Sequence, residues 1–291
     1  MGLIAAIWQR LPIILRAVLV GSFVMSMATV PCGILLRANF ALMPSIPWSV
    51  PVVAIYLWLY WQYLSGKGWP QTTTEFRRTN LRANFLPGRV WRWALLAGGL
   101  GWASVIALRI VIDTLFELPR DSIFSLSSYP VQMILSYIVG VSVLAGVAEE
   151  AGCRGYMQAP IERRHGPMVA ILVVGIIFWL SHAGAFVNHW WMFLGRLWFY
   201  LAASAVFGAV AYLCGSILPG IVLHTVANLV GFVLVWWFES RAAFSTDGGK
   251  LDLFFWATCL MGLVSVIATI WAYRKLAVVM RAVKASAGKI S

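Results

Sequence analysis

Of 291 residues, 61% are hydrophobic and 11% charged, against roughly 25% charged residues in soluble domains, which excludes a soluble globular chain. The formal net charge of +12 would admit a nucleic-acid partner in a soluble protein. Here Lys and Arg gather between apolar runs, as loops facing anionic lipid do, so the expected partner is the lipid bilayer and not nucleic acid.

At about 18 to 22 apolar residues per span, about eight transmembrane helices are predicted. They are Ala17 to Leu36, Ile46 to Leu64, Trp93 to Ile112, Val131 to about Pro160, Met168 to Val187, Leu197 to Cys214, Ile217 to Phe238 and Phe254 to Ala272. The first is long enough to span and has no small-x-small cleavage site closing it, so it reads as a helix and not as a signal peptide. Lys67, Arg77, Arg78, Arg82, Arg89 and Arg92 follow the second span, Arg163 and Arg164 join the fourth to the fifth, and Arg274, Lys275, Arg281, Lys284 and Lys289 follow the last. By the positive-inside rule these stretches and both termini are cytoplasmic. The expected fold is thus all-α, a polytopic transmembrane bundle forming a single membrane domain over residues 1–291. Within it, residues 66–92 mix Arg with Phe76, Leu81, Phe85 and Leu86, the pattern of an interfacial cytoplasmic segment. The four cysteines are scattered without CxxC or Cys-His spacing, which argues against disulfides and thiolate metal sites.

Ionisable groups inside a membrane are costly enough to be candidates for function, and here they concentrate in three places. In the first, Glu149-Glu150-Ala151-Gly152-Cys153-Arg154, Glu150 and Arg154 are i and i+4 on a helix and can pair. Glu149 lies about 100° around the helix from Glu150, free to face a cavity as a general base. In the second, Phe178-Trp179-Leu180-Ser181-His182, the histidine follows Gly166 by 16 residues while Glu149 precedes it by 17. A hairpin turning at His165-Gly166-Pro167 would therefore set Glu149 and His182 at similar depth. In the third, His224 and Asn228 are i and i+4 and share a helix face, as two donors to an oxyanion would, or as interhelical glue would. By counting along the chain His224 sits shallower than His182. His189 reads as interfacial and His165 as solvated.

Together, Glu149-Glu150-x-x-x-Arg154, Phe178-x-x-x-His182 and His224-x-x-x-Asn228 resemble the three signature motifs of the CAAX protease and bacteriocin-processing (CPBP) family of glutamate-type intramembrane proteases, which includes the type II CAAX prenyl endopeptidases. The resemblance covers roughly Val131 to Gly231, the expected catalytic core. It implies that Glu149 and His182 activate a water for attack on a peptide carbonyl, that His224 and Asn228 stabilise the oxyanion, and that Glu150 and Arg154 support the site. It further implies no metal, no cofactor and a membrane-anchored peptide or protein substrate; the basic loops lead us to expect that substrate to enter from the cytoplasmic side, and a bacterial-type cell membrane is the expected location. Residues alone leave open a divalent metal held by two carboxylates and two imidazoles, although no HExxH motif occurs. Two other classes also stay open: a noncatalytic membrane scaffold or immunity protein of the same fold, and a proton-coupled transporter using Glu149, His182 and His224 as a relay.

Overall fold

The computed structural model describes residues 8–116, 129–186, 189–239 and 251–287. It is helical, and among the described residues there is no strand. In chain order the helices are α1 (Ile13–Leu42), α2 (Ser49–Leu64), the short α3 (Thr74–Leu81), α4 (Gly88–Leu115), α5 (Val131–Glu149), a π-helix (Glu150–Gln158), α6 (Ala159–Ser181), α7 (Trp190–Gly195), α8 (Leu197–Cys214), α9 (Leu218–Glu239) and α10 (Leu253–Ala287). Pro12, Pro87 and Pro130 stand at the N-caps of α1, α4 and α5, where the missing N–H breaks no helical bond.

Against the eight predicted spans, six helical stretches among the described residues are long and apolar enough to cross a membrane. The difference has two physical sources. Ser49–Leu64 has only 16 residues. Val131–Ser181 counts as one stretch of 51 residues, although its backbone breaks at Gly166, where φ 83° and ψ 167° lie in a region essentially restricted to glycine.

Burial is inverted relative to a soluble protein. Phe23, Ile34, Ile55 and Leu260 are each more than half exposed, whereas Asn39, Ser49, Glu150, Arg154 and Gln158 are completely buried. An apolar outside and a polar inside is the arrangement that hydrocarbon favours, since buried polar groups must find partners within the protein. Asn39 illustrates the rule at the α1–α2 corner. Its amide nitrogen donates to the carbonyls of Met43 and Ile46, both at 2.8 Å, and its oxygen accepts from the Ser49 backbone N–H and hydroxyl. Cys32, Cys153 and Cys214 are buried as free thiols, and Cys259 is half-buried.

The π-helix lies at the centre, packed against α1, α3, α5, α6, α8 and α9, while α10 runs along α4. Its approach to α1 is backbone on backbone. A Cβ at Gly21 would stand 2.7 Å from the Gly152 carbonyl oxygen, and a Cβ at Gly152 2.8 Å from that of Gly21.

The basic stretch 66–92 is tied into this bundle by its arginines. Arg77 is buried, donating to the carbonyls of Tyr63, Gly68 and Pro70. Arg82 ends α3 in the left-handed region (φ 55°) and turns inward, where its guanidinium meets Glu162 at 3.1 Å and donates to the Ala211 carbonyl at 2.9 Å. Its own carbonyl accepts from Ile217 N–H at 3.1 Å, and Asn84 donates to the Gly215 carbonyl at 2.7 Å. Residues 82–84 therefore clasp the α8–α9 turn to the start of α6.

Candidate active site

Two sides of one hairpin set the depth of the second polar group. Ala170, Val174 and Phe178 on α6 share a core cluster with Ile161, Met157 and Cys153, residues equally far from the turn on its other side. The same register, extended four residues along each arm, is the one that would level His182 with Glu149.

At the end of α5 the helix widens from α to π, and the two glutamates part. Glu150 is completely buried and its Oε1 lies 3.1 Å from Arg154 Nη1, also completely buried. The sequence places this pair at i,i+4 on an α-helix; the structure keeps the pair but forms it on a π-helix, a form that recurs at functional sites. His224 of α9 then reaches both carboxylates, with Nδ1 at 3.0 Å from Glu150 Oε1 and Nε2 at 3.5 Å from Glu149 Oε2. Both ring nitrogens face carboxylate oxygens, so both contacts are attractive when the ring is imidazolium, and two carboxylates, one guanidinium and one imidazolium then sum to zero. Counting along the sequence makes His224 too shallow for this. The clasp by residues 82–84 supplies the missing depth, because it seats the α8–α9 turn inside the bundle.

The shared neighbour of these groups is Phe178. Its ring centroid lies 4.8 Å from that of His182, 6.3 Å from that of His224 and 5.1 Å from the Arg154 guanidinium carbon. Two aromatic residues that sequence reasoning missed complete the wall. Phe207 stacks on His224 at 4.9 Å and stands 5.3 Å from the Arg154 guanidinium, and Tyr200 packs on His182 at 4.6 Å. Their spacing on α8 carries no polar signal, so only the fold identifies them. Gly220 is a third such residue, since a Cβ there would sit 2.6 Å from Glu150 Oε2.

His182 is half-buried at the end of α6, and its Nδ1 lies 2.7 Å from the Phe178 carbonyl oxygen. A carbonyl only accepts, so Nδ1 carries the proton and Nε2 presents its lone pair. Among the described residues His182 makes no ion pair with Glu149, whose partner is His224. Asn228 lies one turn beyond His224, half-buried, and its side chain has no hydrogen-bond partner among the described residues. His165 and His189 are exposed. Among the described residues no group of three or more His, Cys, Asp or Glu side chains is disposed to hold a metal ion. Beside the site, a cleft of about 230 Å³ is lined by Trp61, Trp91, Val147, Leu218, Ile221 and Val222, with almost no polar surface.

The arrangement offers a half-buried carboxylate, an imidazole lone pair and, on a third helix, a second imidazole and a carboxamide, within an apolar bundle. Residues 131–230, the stretch that holds all six of the polar residues singled out by sequence, match the family of type II CAAX prenyl endopeptidases, Rce1-like, a family of membrane proteases. No curated protein and no solved structure matches the chain.

Proposed function

On the premise that residues 131–230 match the type II CAAX prenyl endopeptidase family, Rce1-like, we propose that this multi-pass membrane protein is a glutamate-type intramembrane endopeptidase. Its substrate is a membrane-associated protein or peptide precursor, hydrolysed without a metal. The observation that carries the reading is the gathering of His182 and His224 around the Phe178 ring, with Glu149 at His224 Nε2 and no ion pair between Glu149 and His182. Two groups that act on one water must be separated by it.

In this reading Glu149 takes a proton from the water while His182 Nε2 accepts a second hydrogen bond from it, which orients the lone pair on the carbonyl carbon. Once Glu149 is protonated, the His224 Nε2–H is released to hold the oxyanion with the Asn228 amide, and as the C–N bond breaks the proton on Glu149 passes to the leaving nitrogen. Glu150 and Arg154 fix His224 from the side away from the substrate. The basic 66–92 segment supports an entrance on the cytoplasmic side, and the apolar cleft lined by Trp61, Val147 and Ile221 suits the anchor of a lipid-embedded segment.

The test is cleavage of membrane-anchored host peptides by purified protein, followed by mass spectrometry. Glu149→Gln and His182→Ala should each lower kcat by about 10²- to 10⁴-fold with folding intact. Equal processing by all three proteins would remove the protease reading, and a host phenotype surviving Glu149→Gln would transfer it to a scaffold role.

A further inference from the structure

The four-residue spacing of Glu150 and Arg154 continues through Gln158 to Glu162, so a polar column runs from the carboxylates toward the cytoplasmic-type edge. Most of its steps are direct. Arg154 meets Glu150 at 3.1 Å, Gln158 Nε2 donates to Glu162 Oε2 at 3.2 Å, and Glu162 pairs with Arg82 at 3.1 Å. One step is open. Arg154 Nε and Nη2, Gln158 Oε1 and Glu150 Oε2 are all buried without a hydrogen-bond partner, while Arg154 Nη1 has its ion pair with Glu150 Oε1 alone.

The open atoms are complementary. Gln158 Nε2 donates to two acceptors, Glu162 Oε2 and the Gly208 carbonyl (2.9 Å), which fixes the carboxamide orientation and leaves Oε1 as the spare acceptor. Phe178 and Phe207 pack on the guanidinium of Arg154, so its flat side is engaged by the rings and its N–H rim is what remains. A buried water needs about two to four polar partners, and the donors of Arg154, four residues from both Glu150 and Gln158 on one helical stretch, together with their spare acceptors supply that number. Leaving the groups bare would carry their full desolvation penalty, larger for the charged ones than for the neutral ones.

We infer that a bound water bridges the Arg154 N–H groups to Gln158 Oε1 and Glu150 Oε2, and that the column from Arg82 to Glu150 replenishes from the cytoplasmic side the water consumed beside Glu149. The replenishing role rests on the protease reading; the water site does not. Gln158 is thus a positioning residue, acting through the water.

Hydroxyl radicals made by pulsed X-rays label a buried ring when bound water adjoins it, and Phe207, 1% exposed, adjoins Arg154. In purified protein, Phe207 should be hydroxylated about tenfold faster than Phe255, whose 6% exposure would otherwise make it the faster ring. Gln158→Leu should bring Phe207 down to the Phe255 rate, and Gln158→Glu, which keeps an acceptor, should retain the fast rate. Equal rates for the two rings in the native protein, or an undiminished rate in folded Gln158→Leu, overturns the site. Should Gln158→Leu not fold, the two-ring comparison in the native protein and in Gln158→Glu decides alone. Labelling needs no turnover, so a labelled protein that cleaves nothing sinks the protease reading and spares the water site. A cleaving protein with an unlabelled Phe207 does the reverse. In a cleaving protein, Gln158→Leu should lower kcat about tenfold at constant KM, and an unchanged kcat overturns the replenishing role.

Discussion

A completely buried carboxylate survives in this bundle only because a guanidinium and an imidazole stand on the same oxygen. Glu150 Oε1 has Arg154 at 3.1 Å and His224 at 3.0 Å, and no solvent reaches the carboxylate or the guanidinium to share the charge. Removing one member of such a set strands the others, which costs far more than the set contributes when complete. Arg154→Met should therefore destabilise the protein by about 3–5 kcal/mol, seen as a lower thermal unfolding temperature in detergent. Adding Glu150→Gln should recover much of that loss, because the stranded charge disappears with it. Equal stability of Arg154→Met and the native protein would mean that the guanidinium is not compensating Glu150.

Among the elements, the hairpin from α5 through the π-helix to α6 decides where the candidate groups meet. Its turn depends on Gly166, whose φ of 83° and ψ of 167° only glycine adopts readily, so Gly166→Ala should cost about 1–3 kcal/mol in the unfolding free energy. It should also lower the activity assigned above, since that turn sets the register of His182 against Glu149. An alanine variant with native stability would show that the turn relaxes freely. Much of the hairpin was legible in the sequence, because hydropathy marks the two arms, Gly166-Pro167 marks the reversal, and counting outward from it levels Glu149 with His182. The i,i+4 spacing likewise exposed Glu150 with Arg154. The π-helix was not legible, since i,i+4 pairs suit both helix types and nothing in Ala151-Gly152-Cys153 announces the wider one. Nor were Phe207, Tyr200 and Gly220, whose places depend on packing between helices distant in sequence. The direct contact of His224 with both glutamates also escaped counting, because its depth is set by residues 82–84, more than a hundred positions earlier.

For the whole molecule, that clasp is the long-range constraint. Arg82 touches Glu162 beyond the π-helix, Ala211 at the end of α8 and Ile217 at the start of α9, so a single residue outside the matched stretch 131–230 fixes three helices within it. Arg82→Ala should lower stability by about 1.5–3 kcal/mol, the range for hydrogen bonds to charged groups. Hydrogen exchange should quicken at the Ile217 amide, which donates to the Arg82 carbonyl, and at its neighbours in the turn. Unchanged exchange there would mean that α8 and α9 hold the turn without help.

The pairing of Glu150 with Arg154 within one helical stretch also bears on biogenesis. Synthesis is vectorial, and the segment carrying this carboxylate leaves the ribosome some seventy residues ahead of His224. Had its compensating charge come only from α9, a bare anion would have had to wait in the translocon or the lipid for its partner. With the counter-ion four residues away, the hairpin can partition into the bilayer with that charge already cancelled, leaving the later helix to complete the site by docking.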